Sequence, residues 1–281
     1  MMERLLLVAG CGIYPELYAR GARAAGVTGI SMVAIKGMTT RATAALADEV
    51  RWFGIGEIQA IFDWAETRGC AWGAMAGQVS PLALFRTKFD SLARQWLSEL
   101  RAKNAHSIFG KISAEMERRG IRVLPASCFM DGCLPGEGVL TQRAADAREQ
   151  QDIDHGSLVM RDMGRHDVGQ TVVVKDGMVL AVEAFEGTNA AILRGGKLGG
   201  KGSVVVKGAR EGHDMRFDIP VVGVKTIKTL RKAGATCLAF QAGRLLMLER
   251  EKVVALANRW NIALVGFESG LPPAPLRPED V

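Results

Sequence analysis

The segment over residues 181–220 combines acidic, basic and glycine residues that together could act on a phosphate compound. Its carboxylates are those of Glu183, Glu186, Asp214 and Asp218, and its basic side chains include Lys207 and Arg216. An ionised carboxylate needs a cation, a proton or a hydrogen-bond donor where water is excluded, whereas a basic side chain attracts an anion. Two glycine-rich stretches, which we predict to be turns, would let a ligand approach the backbone closely. The segment therefore predicts a metal-assisted reaction on a phosphate compound.

Asp214 and Asp218 form the acidic pair with the most informative spacing. The run over 219–221 that follows them contains a proline and β-branched residues, which argues against a helix and for an extended segment. Residues four apart in a strand face the same side. The two carboxylates could then hold a divalent cation, or one could hold the cation while the other orients water. The alternative is a solvated surface network in which Arg216 and Lys207 pair with these acids.

A second polar group lies at a predicted helix start and consists of Glu186, Gly187, Thr188 and Asn189. Thr188 or Asn189 could act as the helix N-cap, which is the commonest use of such residues. Alternatively, these side chains contact the base, sugar or phosphate of a ligand. Gln170, at the start of a predicted strand, allows the same two interpretations.

A glycine loop near the N-terminus, Gly10-Cys11-Gly12, follows a strand pattern and precedes a predicted helix. Pro15 stands where the third glycine of a GxGxxG dinucleotide motif belongs, and no convincing acid ends a second strand about twenty residues further on. An NAD-linked oxidoreductase is therefore disfavoured. The helix N-terminus could still bind an anion through free N–H groups. The alternative is a tight turn that binds nothing.

The elements that must position these residues alternate between strand and helix patterns in the N-terminal half. Such alternation is typical of a parallel α/β sheet. Strands are predicted over 4–9, 29–35, 51–53, 72–76 and 121–124, and helices over 15–25, 57–68, 90–102 and 105–119.

The C-terminal half shows the same mixture with a hairpin added. Asp176-Gly177 predicts a tight turn between strands over 171–175 and 178–184. Helices are predicted over 144–163 and 251–260, and further strands over 203–207, 237–240, 245–248 and 262–267. We divide the chain into an α/β domain over 1–131, a glycine- and proline-punctuated linker over 132–138, a second α/β domain over 139–269 and a proline-rich tail over 270–281 that is expected to fray.

Composition describes an ordinary globular chain with 48% hydrophobic and 23% charged residues, and 281 residues favour two domains. The net charge of +6 suits an anionic ligand or an anionic membrane surface, although it also serves solubility alone. Five cysteines without a CxxC pair indicate a reducing compartment, and four scattered histidines show no metal-ligand spacing. Neither a signal-peptide pattern nor an apolar span of eighteen residues is found, so we expect a cytoplasmic protein, soluble or attached at a membrane surface.

Several of these segments together resemble the bacterial UDP-2,3-diacylglucosamine pyrophosphatase family of the LpxI type. The resemblance is carried by LVAGCGIYPELYARGARAAG, DVGQTVVVKDGMVLAVEA, AVEAFEGTNAAILRGG and VVVKGAREGHDMRFDIPVVG. It extends from about residue 4 to about residue 267 and is most specific between Asp167 and Gly223. It implies an enzyme of lipid A biosynthesis with a Rossmann-like N-terminal domain, a C-terminal α/β catalytic domain and an active site at the interdomain cleft.

The resemblance also implies a reaction and its participants. Enzymes of this family use Mg2+ and water to split UDP-2,3-diacylglucosamine into UMP and 2,3-diacylglucosamine 1-phosphate. The catalytic and metal-binding residue of the family most resembles Asp214, with Asp218 as the alternative in the same motif. The positioning of substrate would fall to Gly10, Gly12, Gln170, Glu186, Gly187, Thr188, Asn189, Lys207 and Arg216. The partners would be the lipid substrate and product and the anionic inner-membrane surface, with no nucleic acid; a homo-oligomer is left open.

Three positions depart from the family pattern. Asn189 stands where the motif generally reads EGTD, His213 where Gln often precedes the Asp, and Cys11 where Gly or Ser is common. Because a neutral amide cannot act as a charged ligand or base, Asn189 is expected only to form hydrogen bonds. A different class of protein, a nucleotide-sugar or phospholipid binding protein without turnover, would bind the same ligand but release no UMP.

Overall fold

The computed structural model describes residues 2–78, 87–100, 105–166, 168–209, 214–270 and 272–280. Its contacts divide the chain into two compact units. The first contains residues 1–130, 215–218 and 275–281, and the second contains residues 131–214 and 219–274. The chain therefore passes between the units more than once, and the short segment 215–218 belongs to the first unit although its neighbours in sequence belong to the second.

The first unit is built on a five-stranded parallel sheet, the N-terminal sheet, with the strand order β3-β2-β1-β4-β5. Its strands are β1 (Arg4–Ala9), β2 (Gly29–Ile35), β3 (Glu49–Phe53), β4 (Trp72–Ala76) and β5 (Arg122–Val123). Its helices are α1 (Tyr14–Ala24), α2 (Arg41–Ala44), α3 (Ile58–Glu66), α4 (Ser91–Glu99) and α5 (Ala105–Arg118). The predicted alternation of strands and helices is confirmed.

Alternating strand residues cover both faces of the N-terminal sheet. Leu5 and Leu7 are fully buried, and Leu6 between them packs into a separate cluster with Phe62, Trp96 and other residues of the helices that follow β3 and β4. Because successive side chains point to opposite faces of a sheet, an unbroken apolar strand such as β1 requires cover on both sides. This pattern explains why the apolar run over 5–9 predicted the strand so well.

The second unit contains a six-stranded mixed sheet, the C-terminal sheet, with the strand order β6-β13-β11-β9-β7-β8. Its strands are β6 (Gly138–Val139), β7 (Thr171–Lys175), β8 (Met178–Val182), β9 (Val204–Lys207), β11 (Cys237–Gln241) and β13 (Ala263–Phe267); β10 (Val221–Val222) and β12 (Leu246–Met247) pair separately. Its helices are α6 (Ala147–Gly164), α7 (Thr188–Gly199), α8 (Val224–Ala233) and α9 (Arg250–Arg259). The linker predicted over 132–138 thus ends inside β6.

The two faces of the C-terminal sheet carry different helices. Ile153 and Met160 of α6 pack with Val204 and Val206, whereas Val205 packs on the other face with residues of α7, α8 and α9. The predicted hairpin between β7 and β8 is confirmed. Asp176 and Gly177 both have positive φ, at 49° and 76°, as a type I′ turn requires.

The glycine-rich stretch that we predicted to form turns is instead largely helical. Gly195 and Gly196 lie inside α7, where a Cβ on Gly195 would meet Val173 at 2.6 Å and one on Gly196 would meet the Ala233 carbonyl oxygen at 2.3 Å. These glycines therefore let α7 pack closely against β7 and α8 rather than admit a ligand. Sequence alone could not distinguish the two uses, because both require the missing side chain.

Two further features differ from the sequence prediction. Helix α8 was not foreseen, although Ile227, Leu230 and Ala233 are apolar at helical spacing and Gly234 caps the end with a φ of 75°. The tail was expected to fray, but its backbone is bound: the Ala274 N–H donates to the Gly243 carbonyl at 2.8 Å, and the Phe129 N–H donates to the Leu276 carbonyl at 3.1 Å. Proline lacks a donor but keeps its acceptor, so a proline-rich segment can still be held through its carbonyl groups.

Candidate functional site

Most of the polar residues singled out from the sequence lie at one edge of the C-terminal sheet. Strands β8, β9, β11 and β13 all end there, and β7 begins there, because Thr171 is in register with Lys207 and Val172 with Val182. We call this the carboxyl edge. Glu183 follows β8 directly, and Gln170 directly precedes β7. In open α/β sheets, ligands bind outside the carboxyl ends of the strands, so this is the expected place for a site.

The Lys207 ammonium group is the centre of a buried polar cluster at the carboxyl edge. The residue is 2% exposed. Its Nζ donates to the Thr188 Oγ1 at 2.8 Å and to the Thr171 Oγ1 at 3.3 Å, and it lies 3.8 Å from the Glu183 Oε2. A buried cation is costly without an anion or acceptors nearby, and here two hydroxyl groups and one carboxylate provide them. The carboxylate is the most distant of the three.

The Thr188 hydroxyl group connects the lysine to the carboxylate. Its Oγ1 lies 3.0 Å from both Oε1 and Oε2 of Glu183. An ammonium group can only donate, and a hydroxyl has one proton, so Thr188 accepts from Lys207 and donates to Glu183. The direction of both hydrogen bonds is therefore fixed while Glu183 is ionised. We call Glu183, Thr188, Lys207 and Thr171 the lysine cluster.

Helix α7 begins in the lysine cluster without a side-chain cap. Gly187 is the N-cap residue, with a φ of +82°. The alternative in which Thr188 or Asn189 caps the helix is therefore wrong, because Thr188 turns to Glu183 and Lys207 instead. The Oδ1 of Asn189 is buried and has no hydrogen-bond partner in the part of the chain that the structure describes. An uncapped helix start carries donor N–H groups and a partial positive charge.

Glu186 has a different partner from the rest of this group. It forms an ion pair with Arg194, and its Oε2 accepts a hydrogen bond from the Ala184 N–H at 3.2 Å. The hydrogen bond from Arg194, followed by those from backbone N–H groups, lowers the pKa of Glu186 below its usual value. Glu186 therefore stays ionised and is already neutralised by Arg194 of the helix that follows it, α7.

The backbone around the carboxyl edge leaves no room for larger residues. A Cβ on Gly169, whose φ is +79°, would meet the Glu183 carbonyl oxygen at 2.2 Å. The Gly208 N–H donates to the Gln170 carbonyl at 3.1 Å, so Gln170 is held beside the end of β9 through its main chain. Gln241, which the sequence patterns did not indicate, is 5% exposed, and its Oε1 accepts from the Ala209 N–H at 2.8 Å. Its position directly after an apolar strand was the signal that could have found it.

Asp214 and Asp218 do not lie on an extended segment. Residues 215–217 form a turn, so the prediction of a strand with both carboxylates on one face is wrong. Phe217 stacks on Phe109 with ring centroids 6.1 Å apart, and the Met215 carbonyl accepts from the Ala126 N–H at 2.8 Å. These contacts hold the turn, whereas the proline constrains only the residue before it.

The basic residue within this turn has its own carboxylate. Arg216 pairs with Glu117, and Lys207 pairs with Glu183. The surface network of these basic residues with Asp214 and Asp218 stays a prediction. The departure noted at His213 lies outside the described residues. Asp214 is assigned to the second unit and Asp218 to the first.

Two backbone N–H groups of the N-terminal glycine loop already donate to carbonyl groups of the protein. The Gly10 N–H donates to the Ala76 carbonyl at 2.7 Å, and the Cys11 N–H donates to the Gln78 carbonyl at 2.9 Å. A Cβ on Gly10 would meet the Gln78 carbonyl oxygen at 2.7 Å, which explains the glycine by close chain packing. Gly12 has a φ of +92° and open space around it, directly before the uncapped start of α1. Its role as a phosphate contact stays a prediction.

Within the described ranges, no three or more His, Cys, Asp or Glu side chains come together as a metal site. The same ranges contain no helix with the length and apolar character that spanning a bilayer requires.

Comparison with known proteins identifies the family. Residues 4–133 match the LpxI N-terminal domain and residues 136–265 match the LpxI C-terminal domain. The chain is 30% identical over 283 residues to the UDP-2,3-diacylglucosamine pyrophosphatase LpxI of Caulobacter vibrioides, which covers 95% of this chain and 98% of the relative. The protein therefore belongs to the LpxI family, as its sequence motifs predicted.

Solved structures with some likeness to the chain include biotin carboxylases. The biotin carboxylase domain of a thermophilic 2-oxoglutarate carboxylase is 13% identical, with a TM-score of 0.28, and the likeness covers 62% of this chain and 35% of that chain. The biotin carboxylase subunit of pyruvate carboxylase is 14% identical, with a TM-score of 0.28, over 66% of this chain and 39% of that chain. These scores are too low to indicate a shared fold.

Proposed function

We propose that this protein hydrolyses the pyrophosphate of UDP-2,3-diacylglucosamine to UMP and 2,3-diacylglucosamine 1-phosphate (lipid X), as a hydrolase of lipid A biosynthesis. The observation that carries the proposal is the similarity over 95% of the chain to a relative named for this activity. The lysine cluster at the carboxyl edge adds support, because a buried ammonium group and an uncapped helix start both favour an anionic ligand.

Each polar group at the carboxyl edge has a part in this proposal. Lys207 and the first N–H groups of α7 neutralise phosphate oxygens, and Thr188 keeps the ammonium group in place. The buried Oδ1 of Asn189 accepts a hydrogen bond from a donor of the ligand, such as the uracil N–H or a sugar hydroxyl. Gln170 adds a further polar side chain at the carboxyl edge. Ligand contacts by two parts of the first unit, Arg216 and the loop over Gly10–Gly12, stay predictions.

Asp214 and Asp218 take the catalytic roles in the proposal. Mg2+, or another divalent cation, would neutralise pyrophosphate charge and lower the pKa of a bound water. Mg2+ commonly binds through one or two carboxylates plus substrate phosphates, so a protein cluster of three ligands is not required. Asp214 is assigned to the cation or the attacking water, and Asp218 to orienting that water. Glu186 is less suited to this role because Arg194 already neutralises it.

The reaction breaks the phosphoanhydride bond and forms a new bond between water oxygen and phosphorus. The water proton leaves to a carboxylate or to solvent, and each product keeps one phosphate. The strand order β3-β2-β1-β4-β5 of the N-terminal sheet supports the Rossmann-like description of the first unit. The interdomain position of the active site, the association with the inner-membrane surface and a homo-oligomer stay predictions.

The decisive experiment follows UMP release from UDP-2,3-diacylglucosamine by the purified full-length chain, with Mg2+ and with EDTA. We expect release only with the metal, and a loss of at least about 100-fold in Asp214→Ala. Asp162→Ala, which removes an exposed carboxylate paired with Arg165, is the matched control and should keep full activity. Binding without UMP release by folded protein would favour a non-catalytic binding protein. Unaltered UMP release by Asp214→Ala would show that Asp214 is not the catalytic residue.

A further inference from the structure

Two cationic side chains in the described part of the chain are less than a tenth exposed, and they differ in how they are neutralised. Lys207 is 2% exposed and has the carboxylate of Glu183 within 3.8 Å. Arg244 is 7% exposed, and no carboxylate in the described residues pairs with it. Two less buried arginines are also paired with carboxylates: Arg119 with Glu115, and Arg143 with Glu149. Among the residues that the structure describes, Arg244 is therefore a buried cation without a counter-ion.

The hydrogen bonds of Arg244 do not compensate for the missing carboxylate partner. Its Nη1 donates to the Pro272 carbonyl at 2.6 Å, but its Nε is buried and has no acceptor. Burial lowers the pKa of Arg244 from its usual value, yet a guanidinium group stays protonated in proteins. A buried charged donor that lacks an acceptor costs free energy unless a ligand supplies one.

The backbone N–H groups around Arg244 are hydrogen-bonded, which fixes the point from which its side chain extends. The Ala242 N–H donates to the Phe267 carbonyl at 3.0 Å and the Gly243 N–H to the Pro135 carbonyl at 2.9 Å. The Arg244 N–H donates to the Gln241 carbonyl at 3.4 Å. The donors still available in this loop therefore belong to the Arg244 side chain rather than to the backbone.

The position of Arg244 in the fold connects it with the candidate site. Arg244 follows β11 by three residues, and β11 ends at the carboxyl edge beside β9 and Lys207. Gln241, the last residue of β11, binds the Ala209 N–H just after β9. A second fixed cation at this edge suits a ligand that carries more than one phosphate charge, and the planar fork of an arginine matches phosphate oxygens.

We propose that Arg244 is a binding site for a phosphate group, with Nε and the outer guanidinium nitrogens donating to its oxygens. The choice of phosphate rests on the proposed function, because the pyrophosphate substrate and both of its products carry this group. The geometry itself indicates only an anion with two acceptor oxygens. Inorganic phosphate, the nucleotide phosphate and the sugar phosphate share this chemistry and are separated by the experiment.

The test measures binding of inorganic phosphate, UMP and glucosamine 1-phosphate to the full-length chain by calorimetry and thermal unfolding, without Mg2+ and at ionic strength matched with NaCl. Arg244→Met keeps the length of the side chain and removes the charge. Arg165→Met, at an exposed arginine, is the control. We expect Arg244→Met to bind at least one of the three phosphates about tenfold or more weakly, with the control unchanged. The phosphate affected tells which part of the substrate Arg244 holds.

Stability without ligand separates this role from a structural one. Removing an uncompensated buried charge should leave the unfolding temperature of Arg244→Met unchanged or higher. If Arg244 instead serves to hold the Pro272 carbonyl in place, the unfolding temperature should fall. Arg244→Lys keeps the charge without the fork, and we expect it to fold and to bind phosphate more weakly than the wild type. Wild-type affinity in both variants, no phosphate binding by the wild type, or failure of both variants to fold would overturn the inference. Because no turnover is measured, these results stay distinct from the presence or absence of UMP release.

Discussion

The two edges of the C-terminal sheet each contain a carboxylate paired with a cation, but the two pairs are built differently. At the amino ends of β11 and β13, here called the amino edge, Glu149 is 1% exposed and accepts from Arg143 Nη1 at 2.7 Å and Nη2 at 3.0 Å. The Thr236 hydroxyl donates to the same carboxylate at 2.6 Å, and the Asp146 N–H donates at 3.0 Å. At the carboxyl edge, Lys207 and Glu183 are 3.8 Å apart and are joined through Thr188.

The difference separates a structural network from one that can accept a ligand. Four donors occupy the oxygens of Glu149, and Arg143 also donates to the Thr236 carbonyl, so the network ties α6 to the start of β11. The Lys207 ammonium group donates to two hydroxyl oxygens, which carry no net charge to compete with a phosphate. We infer that the amino edge stabilises the fold and the carboxyl edge carries the function.

Removing Glu149 should give the largest effect on stability. Glu149→Ala removes the carboxylate that pairs with Arg143 and accepts from the Thr236 hydroxyl, and we expect the free energy of unfolding to fall by about 3–5 kcal/mol. Urea denaturation measures the change. Gln150→Ala, at the exposed neighbour in α6, should stay within about 0.5 kcal/mol of the wild type. The UMP release per folded molecule should be unchanged in Glu149→Ala, and a selective loss of turnover would break the comparison between the edges.

The matching change at the carboxyl edge should affect activity rather than folding. Lys207→Met keeps the apolar stem of the side chain and removes the ammonium group, so we expect UMP release to fall by about 100-fold. The free energy of unfolding should change by less than about 1 kcal/mol, because Glu183 keeps its hydrogen bond from Thr188. Lys197→Met, at an exposed lysine of α7, is the control. If Lys207→Met unfolds as readily as Glu149→Ala, both edges are structural.

Sequence patterns predicted the elements of both edges well, because local signals determine them. Apolar runs predicted β9 and β13, and the Asp176-Gly177 pair predicted the hairpin of β7 and β8. The family was also evident from motifs within 167–223. These signals depend on residues that are neighbours in sequence, and that is where single-sequence reasoning is strongest.

The partners across the sheet could not be predicted in the same way. Glu149 and Thr236 are 87 residues apart, and Thr171 and Lys207 are 36 residues apart, so neither pairing has a local signature. The turn over 215–217 is likewise fixed by distant contacts of Phe217 rather than by its own sequence. That no carboxylate of the described residues pairs with Arg244 becomes visible only from the three-dimensional arrangement of distant segments.

A smaller effect should follow from disturbing the helix that positions the lysine cluster. Gly196→Ala would place a methyl group 2.3 Å from the Ala233 carbonyl oxygen, where backbone cannot move away easily, and we expect a loss of about 1–3 kcal/mol of unfolding free energy. Because α7 carries Thr188, we also expect the KM for substrate to rise. Gly132→Ala, at a position with open space around it, is the control. Urea denaturation and steady-state kinetics measure the two effects, and wild-type values for both would show that α7 tolerates a shift.

Acidification offers the mildest way to weaken the amino edge. Burial alone would raise the pKa of Glu149, but hydrogen bonds from Arg143, Thr236 and the Asp146 N–H outweigh it and lower the pKa below the usual 4.5. A carboxyl group with a lowered pKa stabilises the folded state above its unfolded pKa, and this contribution is lost as the pH falls through the folded pKa. Burial, with the charge of Glu149, raises the pKa of Cys237 to about 12, so the neighbouring thiol stays protonated throughout.

The stability difference between the wild type and Glu149→Gln should therefore be largest above pH 4.5 and should shrink as the pH falls below it. Urea denaturation at pH 7, 5, 4 and 3 measures this difference, and taking it between two proteins cancels the titration of the other carboxyl groups. Gln150→Glu, with an exposed carboxyl group in the same helix, should show no comparable trend. A difference that is constant over this range would mean that Glu149 has the same pKa in the folded and unfolded chains, in which case its four hydrogen bonds do no more than offset its burial.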